Sequence, residues 1–183
     1  MQLLFRIKAI LLAPHREWPA IAREKREASA VFIPYVAILG LVPALSHFIG
    51  ASLVGWYAPI PRSLAGALVS YLSAFAVVYI VALIINALAP TFGVQKDFAA
   101  ALKLAAYSYT PVWLAGVFLI VPGLSFLVIL GLYGVYLLRT GLPILMRVAD
   151  AQAWRYAAAI GGCALALALG LAAVEAPFFD APG

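Results

Sequence analysis

Polar residues along this chain fall in short clusters between long apolar runs. Over most of its length there is neither the two-residue alternation of a half-exposed strand nor the single stripe of a surface helix. Five runs approach the roughly 20 apolar residues a helix needs to cross a hydrocarbon core: 31–54, 64–88, 98–121, 123–138 and 156–174. The third carries Lys103 near its start and Pro111 in its middle. The fourth is short, about 24 Å long at ~1.5 Å per residue. It therefore either crosses a thinned bilayer or continues past Arg139. A re-entrant hairpin of the third and fourth runs is the alternative.

Composition agrees with a lipid solvent. Of the 183 residues, 66% are hydrophobic and only 10% charged, against roughly half and a quarter in a soluble domain. The net charge of +5 suggests nucleic acid only until its distribution is considered. Placed on five alternating crossings, eleven of the twelve lysines and arginines fall on one side and Arg62 alone on the other. Basic residues gather on the cytoplasmic face. The expectation is an all-α integral membrane bundle of five transmembrane helices, N-terminus inside and C-terminus outside. An amphipathic N-terminal helix precedes it. No nucleic acid partner is expected.

The first residues are not a cleavable leader, because Arg6 and Lys8 interrupt their apolar stretch. On a helix, Leu3, Leu4, Phe5, Ile7, Ile10, Leu11 and Leu12 cover one broad face, with Gln2, Arg6, Ala9 and Ala13 opposite. Such a helix either lies in the headgroup plane or packs on its own protein. The chain thus divides into a cytoplasmic interfacial segment (1–30), a five-helix domain (31–175) and a short external tail (176–183). Trp56 and Tyr57 open a stiff outer loop, and the lone Cys163 reads as a small packing residue.

The most informative polar stretch is Tyr107, Ser108, Tyr109, Thr110 and Pro111, in the middle of the third run. Pro111 has no N–H and clashes with the carbonyl of residue 107, so the helix should kink there. No water reaches that depth to satisfy the freed carbonyl. Ser108 and Thr110 can bond back to nearby carbonyls, and the two phenols can reach neighbouring helices. This is either a repaired kink that ties the bundle together or, with His47 and Asn86, a polar cavity. Gly131 and Gly134 predict close packing of the fourth helix on the third, and Gly161 and Gly162 offer small packing surfaces on the fifth. Lys96, Lys103, Arg139, Arg147 and Arg155 map to one end of the bundle. They read as topological charge or as a cytoplasmic rim for lipid headgroups or an acidic partner. No catalytic set is visible, no carboxylate falls inside a predicted span, and no cofactor is implied.

Taken together, the stretch 105–146, "AAYSYTPVWLAGVFLIVPGLSFLVILGLYGVYLLRTGLPILM", resembles the signature half of the YIP (Ypt/Rab-interacting protein) family in its bacterial form. Upstream, 14–43 is similar to that form's Glu-Trp element and first span. The resemblance implies five crossings and a cytoplasmic N-terminus in a bacterial inner membrane. Eukaryotic members are non-enzymatic and bind prenylated Rab GTPases. This chain lacks their long cytosolic region and the Asp-Leu-Tyr/Trp-Gly-Pro motif, so Rab-type binding is not expected of it. The expected function is non-enzymatic membrane organisation, through self-association or through a membrane-protein or lipid partner. The alternative is a small-molecule, ion or lipid transporter or channel with a polar path around the Pro111 kink.

Overall fold

The computed structural model describes residues 2–24, 28–54 and 58–179. Lys25 and Arg26 of the basic N-terminal segment, Trp56 and Tyr57 of the expected loop, and the last four residues lie outside them. Among the described residues every regular element is helical.

Five helical spans are long and apolar enough to cross a membrane: Phe32–Val54, Ile60–Phe92, Phe98–Ile120, Gly123–Leu145 and Asp150–Ala176. Each boundary has a local cause. Asp97 caps the third span, its carboxylate accepting the Ala100 N–H at 2.9 Å. Gly93 ends the second in the left-handed conformation, at φ 71°, which glycine adopts without a Cβ penalty. Pro43 cannot donate to the Leu39 carbonyl, and the first span breaks nearby, at Gly40.

The fourth span does not stop at 138. It runs past Arg139 to Leu145, tolerating Pro143. Its first part, Pro122–Leu132, is a 3-10 helix, which rises about 2.0 Å per residue rather than ~1.5 Å. The span is therefore long enough to cross. Arg139 ends the apolar run in the sequence, yet its side chain points outward while Leu137, Leu138 and Leu142 are buried.

The third span is the centre of the bundle, with 56% of its apolar window buried, against 11% for the fifth. It packs against the first, second and fourth spans, and the fifth closes against the second and fourth. Two short helices precede the spans, α1 (Gln2–Leu12) and α2 (Pro14–Arg23). The sequence pattern predicted only the first. They form a hairpin whose Ile10, Trp18 and Ile21 are fully buried, with α2 lying along the Tyr133–Leu145 part of the fourth span. Leu4, Phe5 and Leu12 remain exposed on the other side, so the hairpin packs on its own protein and still presents an apolar face.

Arg6 corrects the sequence reading in another way. Expected on the polar, outward face of α1, it turns inward. It ion-pairs with Glu17 and Glu24 and lies over the Tyr107 ring, 6.0 Å from its centre. Burial works against its charge, but the fields of Tyr107, Glu24 and Glu17 outweigh that and hold its pKa above the ordinary arginine value. Cys163, expected to pack, is exposed.

Candidate functional site

The site begins with the kink. Its helix stops at Ser108, turns at Tyr109 and restarts at Thr110, with Pro111 in the first turn of the new segment. Thr110 Oγ1 donates to the Tyr107 carbonyl at 2.6 Å, supplying the bond that Pro111 cannot make. Tyr35, from the first span, donates its hydroxyl to Thr110 Oγ1, also at 2.6 Å. The Tyr35 and Tyr107 rings meet edge to face at 4.8 Å, and Trp18 and Trp113 extend the cluster. One face of the kink is thus a dry aromatic knot with its polar atoms satisfied.

The opposite face is open. Ser108 and Tyr109 line a cleft of about 650 Å³ between the second, third, fourth and fifth spans, with the Ser108 hydroxyl itself buried in its wall. Its walls are nearly all apolar, among them Val77, Val112, Val135 and Leu165. Ser108 is 2% exposed, and its hydroxyl finds no partner. Gly134 approaches so closely that a Cβ there would lie 2.6 Å from the Ser108 carbonyl. Gly131 does the same against Val112, so the fourth span seals one side of the cleft against the third.

The fifth span seals the other side only in part. It touches the fourth at Gly161, where a Cβ would meet Val135 at 3.3 Å. It packs along Tyr133–Leu145 but parts from the 3-10 segment Pro122–Leu132. The two spans therefore splay away from the hairpin end, and Leu165 and Ile129 in the cleft wall are 57% and 62% exposed. The opening is lateral, toward what surrounds the bundle. Among the described residues nothing lies within 4 Å of where a Cβ on Gly162 would be.

At the splayed end the cleft is bounded by Ser70 and Glu175, and Glu175 Oε1 is buried without a partner. Neither residue was singled out in the sequence. The apolar run ends at 174, which places Glu175 outside it, but the helix continues to Phe179. A signal was present: Gly161, Ala164, Ala168, Leu171 and Glu175 recur every three or four residues, so the carboxylate shares their helix face.

The structure divides the other predicted residues. Tyr107 and Thr110 belong to the knot, and Ser108 and Tyr109 to the cleft. His47 and Asn86 line neither; both are half-buried, and the Asn86 carbonyl oxygen has no partner. Lys96, Arg139, Arg147 and Arg155 are exposed near the hairpin end. Lys103 instead donates to the Glu24 carbonyl at 3.1 Å, holding α2 down. Arg155 shares a small nook with Thr91, Phe92 and Gln152. Among the described residues no group of three His, Cys, Asp or Glu side chains could hold a metal ion.

Compared with known families, residues 8–173 match the Yip1 domain. No curated protein and no solved structure matches the chain.

Proposed function

The chain belongs to the Yip1-domain family and is a multi-pass membrane protein; from that premise we propose that it is a non-enzymatic organiser of the membrane that works by holding a lipid. The observation that carries this reading is the lateral cleft. Its volume lies within the roughly 300–1,000 Å³ of small-molecule sites, its walls are apolar, and its open side faces the bilayer. A site that takes its ligand sideways from the membrane needs no water path. In the proposed orientation, in a bacterial inner membrane with the basic end cytoplasmic, the opening lies in the outer half of the bilayer. The basic end then meets anionic headgroups of the inner leaflet. Lipid, rather than a Rab-type GTPase, is the partner; self-association remains open to the exposed face of the fifth span.

A transporter is the second reading, favoured by the unpartnered Ser108 hydroxyl at the floor of the cleft. Against it, Tyr107 and Thr110 are occupied within the knot, so the polar stretch forms no continuous path among the described residues.

The test is photocrosslinking of the full chain with a diacyl lipid carrying a photoreactive tail. Labelling is expected to concentrate on Val112, Val135 and Leu165, and Ala164→Trp, which fills the cleft, is expected to abolish it. Labels spread evenly around the bundle would defeat the reading.

A further inference from the structure

The cleft's charge is one-sided. Among the described residues no lysine, arginine or histidine lines it, and Glu175 is its one ionisable group apart from the Tyr109 phenol. Glu175 is also the only carboxylate along the five spans except Asp150, at the very start of the fifth. Ser70 lies beside it in the cleft wall, yet Oε1 is buried and bonded to nothing. A half-buried carboxylate with an unpartnered oxygen beside an apolar cleft is costly unless it takes a proton or a donor or a cation meets it. The described residues of the cleft supply none. The ligand can.

Resting on the lipid-binding reading above, we infer that the cleft selects an amphiphile with a cationic amine head, such as an aminophospholipid. The ammonium is taken by the Glu175 carboxylate, whose buried Oε1 turns outward to meet it, and the chain lies along the apolar walls toward Ser108. An ammonium brings both the positive charge and the N–H donors that the vacant oxygen requires, and charge-assisted bonds of this kind are the strong ones. A purely anionic head would instead place its phosphate beside the carboxylate with no basic residue to offset the repulsion. The geometry also explains where the head sits: Glu175 is at the splayed end, near the terminus of its span, where headgroups lie. Glu175 falls beyond the last matched residue of the family domain, 173, so this selectivity is attributed to this chain and not to the family.

The experiment offers the full-length protein, in detergent, an equimolar mixture of phosphatidylethanolamine and phosphatidylglycerol, and reads retained lipid by native mass spectrometry. The wild type is expected to retain the amine lipid about tenfold over the anionic one, roughly the effect of one good charge-assisted contact. Glu175→Gln is expected to keep binding lipid but lose the preference, and Glu175→Asp to keep part of it. Equal retention of both lipids by the wild type, or an unchanged preference in Glu175→Gln, overturns the headgroup inference while leaving the cleft as a lipid site. No retained lipid at all overturns both. A disulfide between copies through Leu165→Cys that excludes lipid shows the occupant to be a second chain and likewise overturns both. Should Glu175→Gln fail to fold, Ser70→Ala serves in its place, with a weakened preference expected and an unchanged one counting against the inference.

Discussion

The two ends of the bundle are built on opposite principles. At the hairpin end, space is filled. Trp18 is fully buried, donates its indole N–H to Thr140 at 3.0 Å, and fits against Gly141 so closely that a Cβ there would lie 2.7 Å from the ring. Phe92 stacks on Tyr156 at 4.2 Å, and Tyr156 donates to the Ile85 carbonyl, tying the second span to the fifth. At the splayed end the third and fourth spans tighten into 3-10 helix, the fourth and fifth part, and Glu175 keeps a vacant polar atom. In lipid, no hydrophobic force drives helices together, so contact must come from packing and hydrogen bonds. Between the fourth and fifth spans those are concentrated at one end, along Tyr133–Leu145, which leaves the other free to open sideways.

The comparison breaks most readily at Trp18. Trp18→Ala removes a fully buried ring and its bond to Thr140, and should cost about 3–5 kcal/mol. Thermal melting in detergent, followed by helical circular dichroism, should show a large fall in midpoint. A midpoint near that of the wild type would mean that α2 adds nothing to the bundle and that the contrast between the ends is false.

Much of this division was legible in the sequence, and the exceptions share a cause. Apolar run length located the spans because the bilayer fixes how many residues a crossing needs. Pro111 placed the kink because its missing N–H is a local fact; of the two hydroxyls read as able to bond back, Thr110 does and Ser108 does not. What failed to show were choices settled between distant residues. Arg6 turned inward because Glu17 and Glu24 meet it across the α1–α2 turn, and no helical wheel of α1 contains that information. The fourth span was read either as crossing a thinned bilayer or as continuing past Arg139, and it continues, because an exposed arginine does not end a helix whose neighbouring leucines are buried. The cleft itself depends on how the fifth span diverges, a tertiary property; only the three-to-four-residue recurrence that ends in Glu175 hinted at it.

Within the kink the comparison can be sharpened to two hydroxyls two residues apart. Thr110→Val removes the donor that serves the Tyr107 carbonyl and the acceptor that serves Tyr35. Both partners are buried and no water replaces the bond. The expected loss is about 1–2 kcal/mol, above the ~0.6 kcal/mol average for a bond in a membrane bundle because two groups are orphaned together. The readout is the same melting experiment, with a smaller drop than for Trp18→Ala. An unchanged midpoint would show the knot to be held by ring packing alone.

Ser108→Ala should behave in the opposite sense. Its hydroxyl is as buried as that of Thr110 but bonds to nothing in the protein, so the folded chain carries its desolvation without a return. Removing it leaves no partner behind, since none exists, and Ala fits wherever Ser did. The expected change is between zero and a gain of about 1 kcal/mol. The sign, not the size, is what matters: two buried hydroxyls on one kinked helix, one whose loss destabilises and one whose loss does not. If Ser108→Ala instead lowered the midpoint as Thr110→Val does, the hydroxyl would have a protein partner after all. The face of the helix that turns toward the cleft would then be part of the packed interior, and the floor of the proposed lipid site would be closed.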